Sequence, residues 1–269
     1  MAYYEAGDGR RVYFEHYHGP KSPVFLIHGW GMSSRVWVDT IEALKAAGHE
    51  VLTIDHRGCG QSDRDFDDLS VNAIASDVEG IVRQRGLRPV VLNGWSLGGA
   101  IAAEAAQRLG ERAAALVLTC GASPRFTRTD DFPYGGEREN LLAMPGAISA
   151  NRAAFFKGLA QGVCAKDVGQ PALDWMWSIF MDAGPDVVKS LLDLADLDQR
   201  ALLAKLAIPV LSIVGGKDVI LQPEVGIEAA KHARDGRLVN FEDCGHAPFI
   251  EDGPAYMAAL LDFLNGIRS

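Results

Sequence analysis

The sequence has few cysteines, and none of them has a spacing typical of a metal site or a redox pair. The four cysteines lie at positions 59, 120, 164 and 244, with no C-x-x-C pair and no zinc-type spacing. We therefore expect small, mostly buried free thiols in a reducing compartment. The sequence as a whole gives no sign of a metal or an organic cofactor, and we expect neither.

The sequence also lacks long apolar runs and an excess of positive charge. No run approaches the roughly 18 apolar residues that span a membrane, and residues 1–11 have no apolar core like that of a secretory signal. The formal net charge is −9, which argues against nucleic acid or an anionic membrane as a partner. We expect a cytoplasmic protein that acts on a small molecule.

Short apolar segments alternate with helical patterns over most of the chain. Segments typical of buried strands are 23–27, 50–54, 89–92, 115–119 and 209–214. An amphipathic helix is predicted from about Val71 to Arg85, with its apolar residues on one face. This alternation predicts an α/β fold with a mostly parallel, doubly wound sheet. In such sheets, sites lie at the carboxyl ends of the strands.

The strand pattern stops over residues 121–206, which have a helical pattern and many aromatic side chains. We predict that this segment is a helical cap inserted into a core domain formed by residues 1–120 and 207–269. Aromatic residues at helical spacing first indicate packing, but a cap that covers a cleft must also line it. The predicted pocket residues are His28, Phe126, Phe155, Phe156, Trp177 and Phe249.

The segment Asn93–Gly99, NGWSLGG, lies between a predicted strand and an alanine-rich helix. A G-x-S-x-G pattern in this setting predicts a nucleophile elbow, with Ser96 on a sharp strand-to-helix turn. The turn leaves almost no room for a side chain two residues before and two residues after the serine. Gly94 and Gly98 occupy these two positions. The alternative is a glycine-rich turn whose serine has no chemical role.

Two polar residues after later strands complete a candidate catalytic set. Asp218 follows the predicted strand at 209–214, and His246 follows a further predicted strand at 237–241. The order serine, acid, histidine is that of hydrolases with a nucleophile elbow. Serine needs a base to take its proton, and that histidine needs an acceptor to fix its tautomer. We predict Ser96 as the nucleophile, His246 as the base and Asp218 as the acid. His56 is the alternative base, and Asp243 is the alternative acid.

Attack on an ester carbonyl creates an oxyanion, which needs hydrogen-bond donors already in place. The main-chain amide of Leu97, directly after the nucleophile, is the first predicted donor. The second is the amide of Trp30, in the turn that follows the strand at 23–27.

These motifs resemble the α/β-hydrolase superfamily over essentially the whole chain. The closest resemblance is to the carboxylesterases that act as pimeloyl-acyl-carrier-protein methyl ester esterases in biotin synthesis. The similar stretches are HGWGMSSRVW from His28, GWSLGG from Gly94, ASPRFTRTDDFP from Ala122 and GHAPFIEDGPAY from Gly245. The resemblance implies a serine carboxylesterase that forms an acyl-enzyme, with the acyl chain lying under the cap.

The resemblance also implies a partner, because that family docks an acidic acyl carrier protein on cap arginines. The candidates here are Arg125, Arg128, Arg138 and Arg152, but acidic residues are interleaved with them. The alternative is a mixed, solvated cap surface. Lactonase, C–C bond hydrolase or perhydrolase chemistry on the same triad is an alternative activity, and a non-catalytic ligand receptor is a further one.

Overall fold

The structure, a computed structural model, describes residues 2–87 and 89–267. Within these ranges eight strands form one sheet in the order β1-β2-β4-β3-β5-β6-β7-β8. The strands are β1 (Ala2–Glu5), β2 (Arg11–Tyr17), β3 (Lys21–Ile27), β4 (His49–Ile54), β5 (Val90–Trp95), β6 (Ala113–Thr119), β7 (Val210–Gly215) and β8 (Gly236–Phe241). The β1–β2 and β2–β4 pairings are antiparallel and the other five are parallel, which confirms the predicted mostly parallel sheet.

Helices cover both faces of the sheet. They are α1 (Val38–Ala46), α2 (Val71–Gln84), α3 (Leu97–Leu109), α4 (Arg138–Ala150), α5 (Arg152–Val163), α6 (Gln170–Asp182), α7 (Val188–Leu192), α8 (Arg200–Lys205), α9 (Pro223–His232), α10 (Pro248–Glu251) and α11 (Gly253–Asn265). Short 3₁₀ turns lie at Ser34–Trp37, Gly110–Arg112, Pro185–Val187 and Asp193–Ala195. Since helices α2 and α3 pack together while α1 packs against α11, the central strands are buried on both faces.

Helix α2 shows how the sequence sets these elements. The Ser70 hydroxyl accepts a hydrogen bond from the Ala73 amide and so caps the first turn. Ile74, Val78 and Ile81 then recur on one face and are buried. The helix lies where the apolar period predicted it and ends at Gln84, one residue before the predicted end.

The segment 121–206, which we call the insertion, lies between β6 and β7 and contributes no strand to the sheet of the described residues. Its helix α5 contacts both α4 and α6. Helix α8 instead packs against α3 and α9, and the Gln199 side chain donates to the Ala100 carbonyl on α3. The end of the insertion is therefore attached to the core helices. Within the described part of the chain, no helix combines the length and the apolar character that crossing a membrane requires.

Candidate active site

Ser96 lies on the turn between β5 and α3, with φ of 55° and ψ of −122°. A positive φ is rarely adopted by residues other than glycine, and it indicates strain held by the surroundings. A Cβ on Gly94 would lie 2.0 Å from the Gly98 carbonyl oxygen, and one on Gly98 would lie 2.3 Å from the Ile27 oxygen. The prediction that these two positions must carry no side chain is confirmed.

His246 and Asp218 meet at the same edge of the sheet. His246 Nδ1 lies 2.6 Å from Asp218 Oδ2, and both side chains are almost fully buried. Asp218 Oδ1 accepts the amides of Ile220 and Leu221 at 2.8 and 2.9 Å. Because a carboxylate only accepts, Nδ1 carries the proton and Nε2 is left as the basic nitrogen.

The main chain of His246 is held on both sides. Its amide donates to the Val163 carbonyl at the end of α5, at 2.7 Å. Its carbonyl accepts the indole N–H of Trp95, also at 2.7 Å. Since Trp95 directly precedes Ser96, this bond fixes the histidine loop relative to the elbow. Sequence reasoning missed this role, although the tryptophan stands inside the quoted GWSLGG motif.

Ser96 and His246 line one cleft with about 470 Å³ of empty space, part of it open to solvent. Gly29 and Trp30, from the turn after β3, and Trp95 form the rest of its floor. The other lining side chains are all apolar: Phe126, Met144, Leu159, Val163, Phe180, Leu191 and Ile220. All of these except Ile220 come from the insertion, which therefore forms the roof.

Of the six predicted pocket residues, the structure places only Phe126 on this lining. Phe156 is buried behind it and stacks on Phe180 with ring centroids 5.5 Å apart. Phe249 packs between Trp37 and Trp95. The pocket assignment is wrong for five residues: His28, Phe155, Phe156, Trp177 and Phe249. Helical spacing identified packing residues, but it could not tell which face of each cap helix turns toward the cleft.

Phe155 and Trp177 hold the roof together without lining it. The Phe155 ring packs edge-on against Phe156 within α5. The Trp177 indole donates to the Ala153 carbonyl and so joins α6 to α5. Trp177 therefore joins two helices of the insertion, whereas Phe155 packs within one of them.

His28 organises the turn that carries Trp30. Its Nδ1 donates to the Gly29 carbonyl at 2.7 Å, and its Nε2 accepts the His56 amide at 2.9 Å. The Gly29 carbonyl and the Trp30 amide belong to one planar peptide and point in opposite directions. Holding the carbonyl toward His28 therefore turns the Trp30 N–H away from it. Along residues 2–87 and 89–267, neither the Trp30 nor the Leu97 amide donates to a protein acceptor.

The rings of His28 and His56 stack 3.6 Å apart in the interior. Burial lowers the pKa of His28 to about 4, and burial together with His28 lowers the pKa of His56. Both rings are therefore neutral at pH 7. This packing gives His56 a structural place, and of the two candidate bases His246 is the one whose ring binds a carboxylate.

Residues 24–260 match the sequence profile of the Alpha/beta hydrolase family. The chain belongs to this family. A pimeloyl-[acyl-carrier protein] methyl ester esterase of Neisseria meningitidis is 32% identical over 253 residues, covering 91% of this hydrolase and 94% of the relative.

Solved structures give the same assignment of this hydrolase. An esterase from Exiguobacterium antarcticum superposes with a TM-score of 0.94 at 27% identity, covering 98% of this chain and 99% of the esterase. A bromoperoxidase from Bacillus anthracis superposes with a TM-score of 0.91 at 26% identity, covering 98% of this chain and all of the other. The family, the fold and the similarity to esterases agree.

The four arginines considered for carrier docking all have partners within the hydrolase. Arg125 is buried and pairs with Asp198 at 3.2 Å, while the exposed Arg138 pairs with Asp196 at 2.9 Å. Arg128 pairs with Glu137. Arg152 donates to the Ala183 carbonyl and lies 4.6 Å from the Phe156 ring. Three of the four therefore pair with an acidic side chain, and Arg152 binds a main-chain carbonyl.

Two groups of side chains in the described residues have donor atoms close enough to share a metal ion. One consists of Cys120, Asp218 and His246, and the other of His16, His18 and Glu50. In the first, Asp218 and His246 already bind each other, and burial raises the pKa of the Cys120 thiol well above its usual value. In the second, His16 contacts Glu50 through Nε2 and accepts from Arg85 through Nδ1. Neither group is an open ligand set.

Proposed function

We propose that this protein is a serine carboxylesterase that hydrolyses esters of short- to medium-chain carboxylic acids through an acyl-enzyme. One observation carries the proposal: Ser96 and His246 line one cleft, and Asp218 holds His246 at 2.6 Å. The strained turn at Ser96 and the acceptor-free amides of Trp30 and Leu97 support the same chemistry. Membership of the family and the similarity to esterases support an enzyme that hydrolyses ester bonds.

The first half of the reaction acylates the serine. His246 Nε2 takes the proton from Ser96 Oγ as the oxygen attacks the ester carbonyl. The Trp30 and Leu97 amides stabilise the oxyanion, and the Asp218 carboxylate stabilises the imidazolium. Collapse of the tetrahedral intermediate breaks the bond to the alcohol, which leaves with the proton from His246.

The second half returns the enzyme to its starting state. His246 removes a proton from water, which attacks the acyl carbonyl bound to Ser96. The same two amides stabilise the second oxyanion. The acid departs, and Ser96 regains its proton from His246.

The apolar lining of the cleft limits which acyl chains it can bind. Apart from Ser96 and His246, the lining side chains of the described residues are uncharged and almost wholly apolar. A free carboxylate on the acyl chain would be buried there without a partner, at a cost of several kcal/mol. We therefore expect neutral acyl chains, as in alkyl esters or a diester, to be better substrates than esters with a free acid at the far end.

The methyl ester of pimeloyl-acyl carrier protein is the specific candidate substrate. The relative in Neisseria meningitidis supports it, whereas the internal pairing of the four arginines does not favour a docked acidic carrier. The test compares kcat/KM for the carrier-bound methyl ester with that for free dimethyl pimelate. A carrier preference of about a hundredfold, or about 2.7 kcal/mol, would support a docking surface. Equal values would leave a general carboxylesterase.

A perhydrolase is the second candidate activity, because the bromoperoxidase from Bacillus anthracis shares the fold at 26% identity. Formation of peracid from acetate and peroxide would distinguish it from ester hydrolysis. Ser96→Ala serves as the blank in both assays. Loss of the nucleophile is expected to lower kcat by about a millionfold, and an unchanged rate in this variant would contradict both activities.

A further inference from the structure

Glu251, at the end of α10, lies five residues after His246 and has no part in the chemistry described above. Its carboxylate accepts the Gly245 amide through both oxygens, at 2.8 and 2.9 Å. Oε1 also approaches the Ala247 amide at 3.4 Å. One side chain therefore holds the residues on both sides of His246.

The same carboxylate also reaches the insertion. Oε2 accepts the amides of Ala165 and Lys166, just after α5, at 2.7 and 2.9 Å. The two segments touch directly, because a Cβ on Gly245 would lie 2.8 Å from the Ala165 nitrogen. Glu251 thus binds four main-chain amides, two from the histidine loop and two from the insertion.

The contact between the two segments includes His246 itself. The His246 amide donates to Val163 at 2.7 Å, only two residues before Ala165. Hydrogen bonds to a charged acceptor are stronger than neutral ones, and amides left without an acceptor carry a desolvation cost. Losing the Glu251 carboxylate would therefore loosen both segments together.

We propose that Glu251 is a positioning residue that fixes His246 by joining its loop to the insertion. The inference rests on the proposed serine mechanism. A displacement of about 1 Å in a catalytic group can lower the rate about a hundredfold. Because Glu251 does not line the cleft, its loss should lower kcat and leave substrate binding nearly unchanged.

The test compares Glu251→Gln with Asp252→Asn. Asp252 is the matched control, since its carboxylate pairs with the Lys166 ammonium at 2.9 Å and has no bond to the histidine loop. We expect Glu251→Gln to lower kcat by roughly 10- to 100-fold, with KM within about threefold. An organophosphate should label Ser96 more slowly by a similar factor. Hydrogen exchange should rise at 165–166 and at 245–247, and Asp252→Asn should match the wild type.

Wild-type kcat in Glu251→Gln, or an equal loss in Asp252→Asn, would overturn the inference. So would a rise in KM at unchanged kcat. If Glu251→Gln does not fold, Glu251→Asp keeps the charge but is one methylene too short to reach both segments. Wild-type kcat in that folded variant would also overturn it. Failure of the organophosphate to label Ser96 in the wild type would instead contradict the proposed function.

Discussion

The floor and the roof of the cleft differ in how tightly their sequences are constrained. In the floor, a Cβ on Gly94 or Gly98 would meet main-chain atoms at 2.0 to 2.3 Å. In the roof, a Cβ on Gly146, Gly158 or Gly162 would find nothing within 4 Å. These positions in the floor therefore tolerate almost no added side-chain atom, whereas these positions in the roof have space for one.

The helices of the floor and of the roof also differ in how many of their residues are buried. The elbow helix α3 buries most of its residues, whereas α4 in the roof buries only Leu141. A densely packed element holds its atoms to a narrow range of positions, as an oxyanion site requires. We infer that the floor determines the reaction and the roof determines which ester is accepted. The predictions below test that division, from the largest effect to the smallest.

The largest effect is expected from Asp218→Asn. An amide in place of the carboxylate favours the wrong tautomer of His246, and a comparable change in another triad enzyme lowers kcat about 10⁴-fold. Steady-state kinetics on an activated ester would measure the loss. Asp243→Asn is the matched control, because Asp243 is the alternative acid and pairs with Lys217 on the surface at 2.7 Å. An equal loss in the control would contradict the assignment of the acid.

The second prediction compares a glycine of the floor with a glycine of the roof. Gly98→Ala should destabilise the fold by about 3 kcal/mol or more, because the new Cβ meets the Ile27 carbonyl. Gly158→Ala, inside α5, should instead stabilise by about 0.5 to 1 kcal/mol, since alanine has less backbone freedom to lose. Denaturant unfolding measures both. Equal sensitivity at the two positions would remove the distinction between floor and roof.

The buried histidines of the floor make stability depend on pH. His28 has a pKa of about 4 in the folded state and about 6.5 when unfolded, so the unfolded chain binds more protons between these values. The contribution of His28 to the free energy of unfolding is therefore complete above pH 6.5. It falls by up to about 3 kcal/mol as the pH drops toward 4. His56→Phe should reduce this slope, because it removes one of the two buried, stacked rings. Urea unfolding at several pH values checks this, and a flat curve would contradict it.

The smallest effect is expected in the roof. Met144→Trp should fill part of the cleft and lower kcat/KM for a hexanoyl ester relative to an acetyl ester by about tenfold. Leu142→Trp is the control on the same helix, since Leu142 is exposed and does not line the cleft. Rates on the acetyl ester should stay within threefold for both. A large loss on every ester would show that the roof also holds the reacting groups.

The parts of the site that follow from local pattern could be predicted from the sequence. The turn at Ser96 and the order Ser96, Asp218, His246 can be recognised because each residue lies within a few residues of the end of a strand. The alternation of strands and helices also predicted the sheet correctly. These inferences need only the residues next to each motif.

What could not be predicted depends on contacts between distant segments. The Trp95 indole meets a carbonyl 151 residues later, and Glu251 meets Ala165 across 86 residues. The cleft lining depends on how the helices of the insertion pack, so Phe156 and Trp177 were misassigned while Met144 and Leu159 were missed. The spacing of hydrophobic residues shows which face of a helix is buried, but it does not show which other residues pack against that face.

The most direct test of the central claim is mass spectrometry of the protein quenched during turnover of a p-nitrophenyl ester. The wild-type protein should carry one acyl group on the peptide that contains Ser96, together with a burst of nitrophenol. Ser96→Ala should show neither. Steady turnover of the ester by Ser96→Ala, or acylation at another residue, would contradict the serine mechanism proposed here.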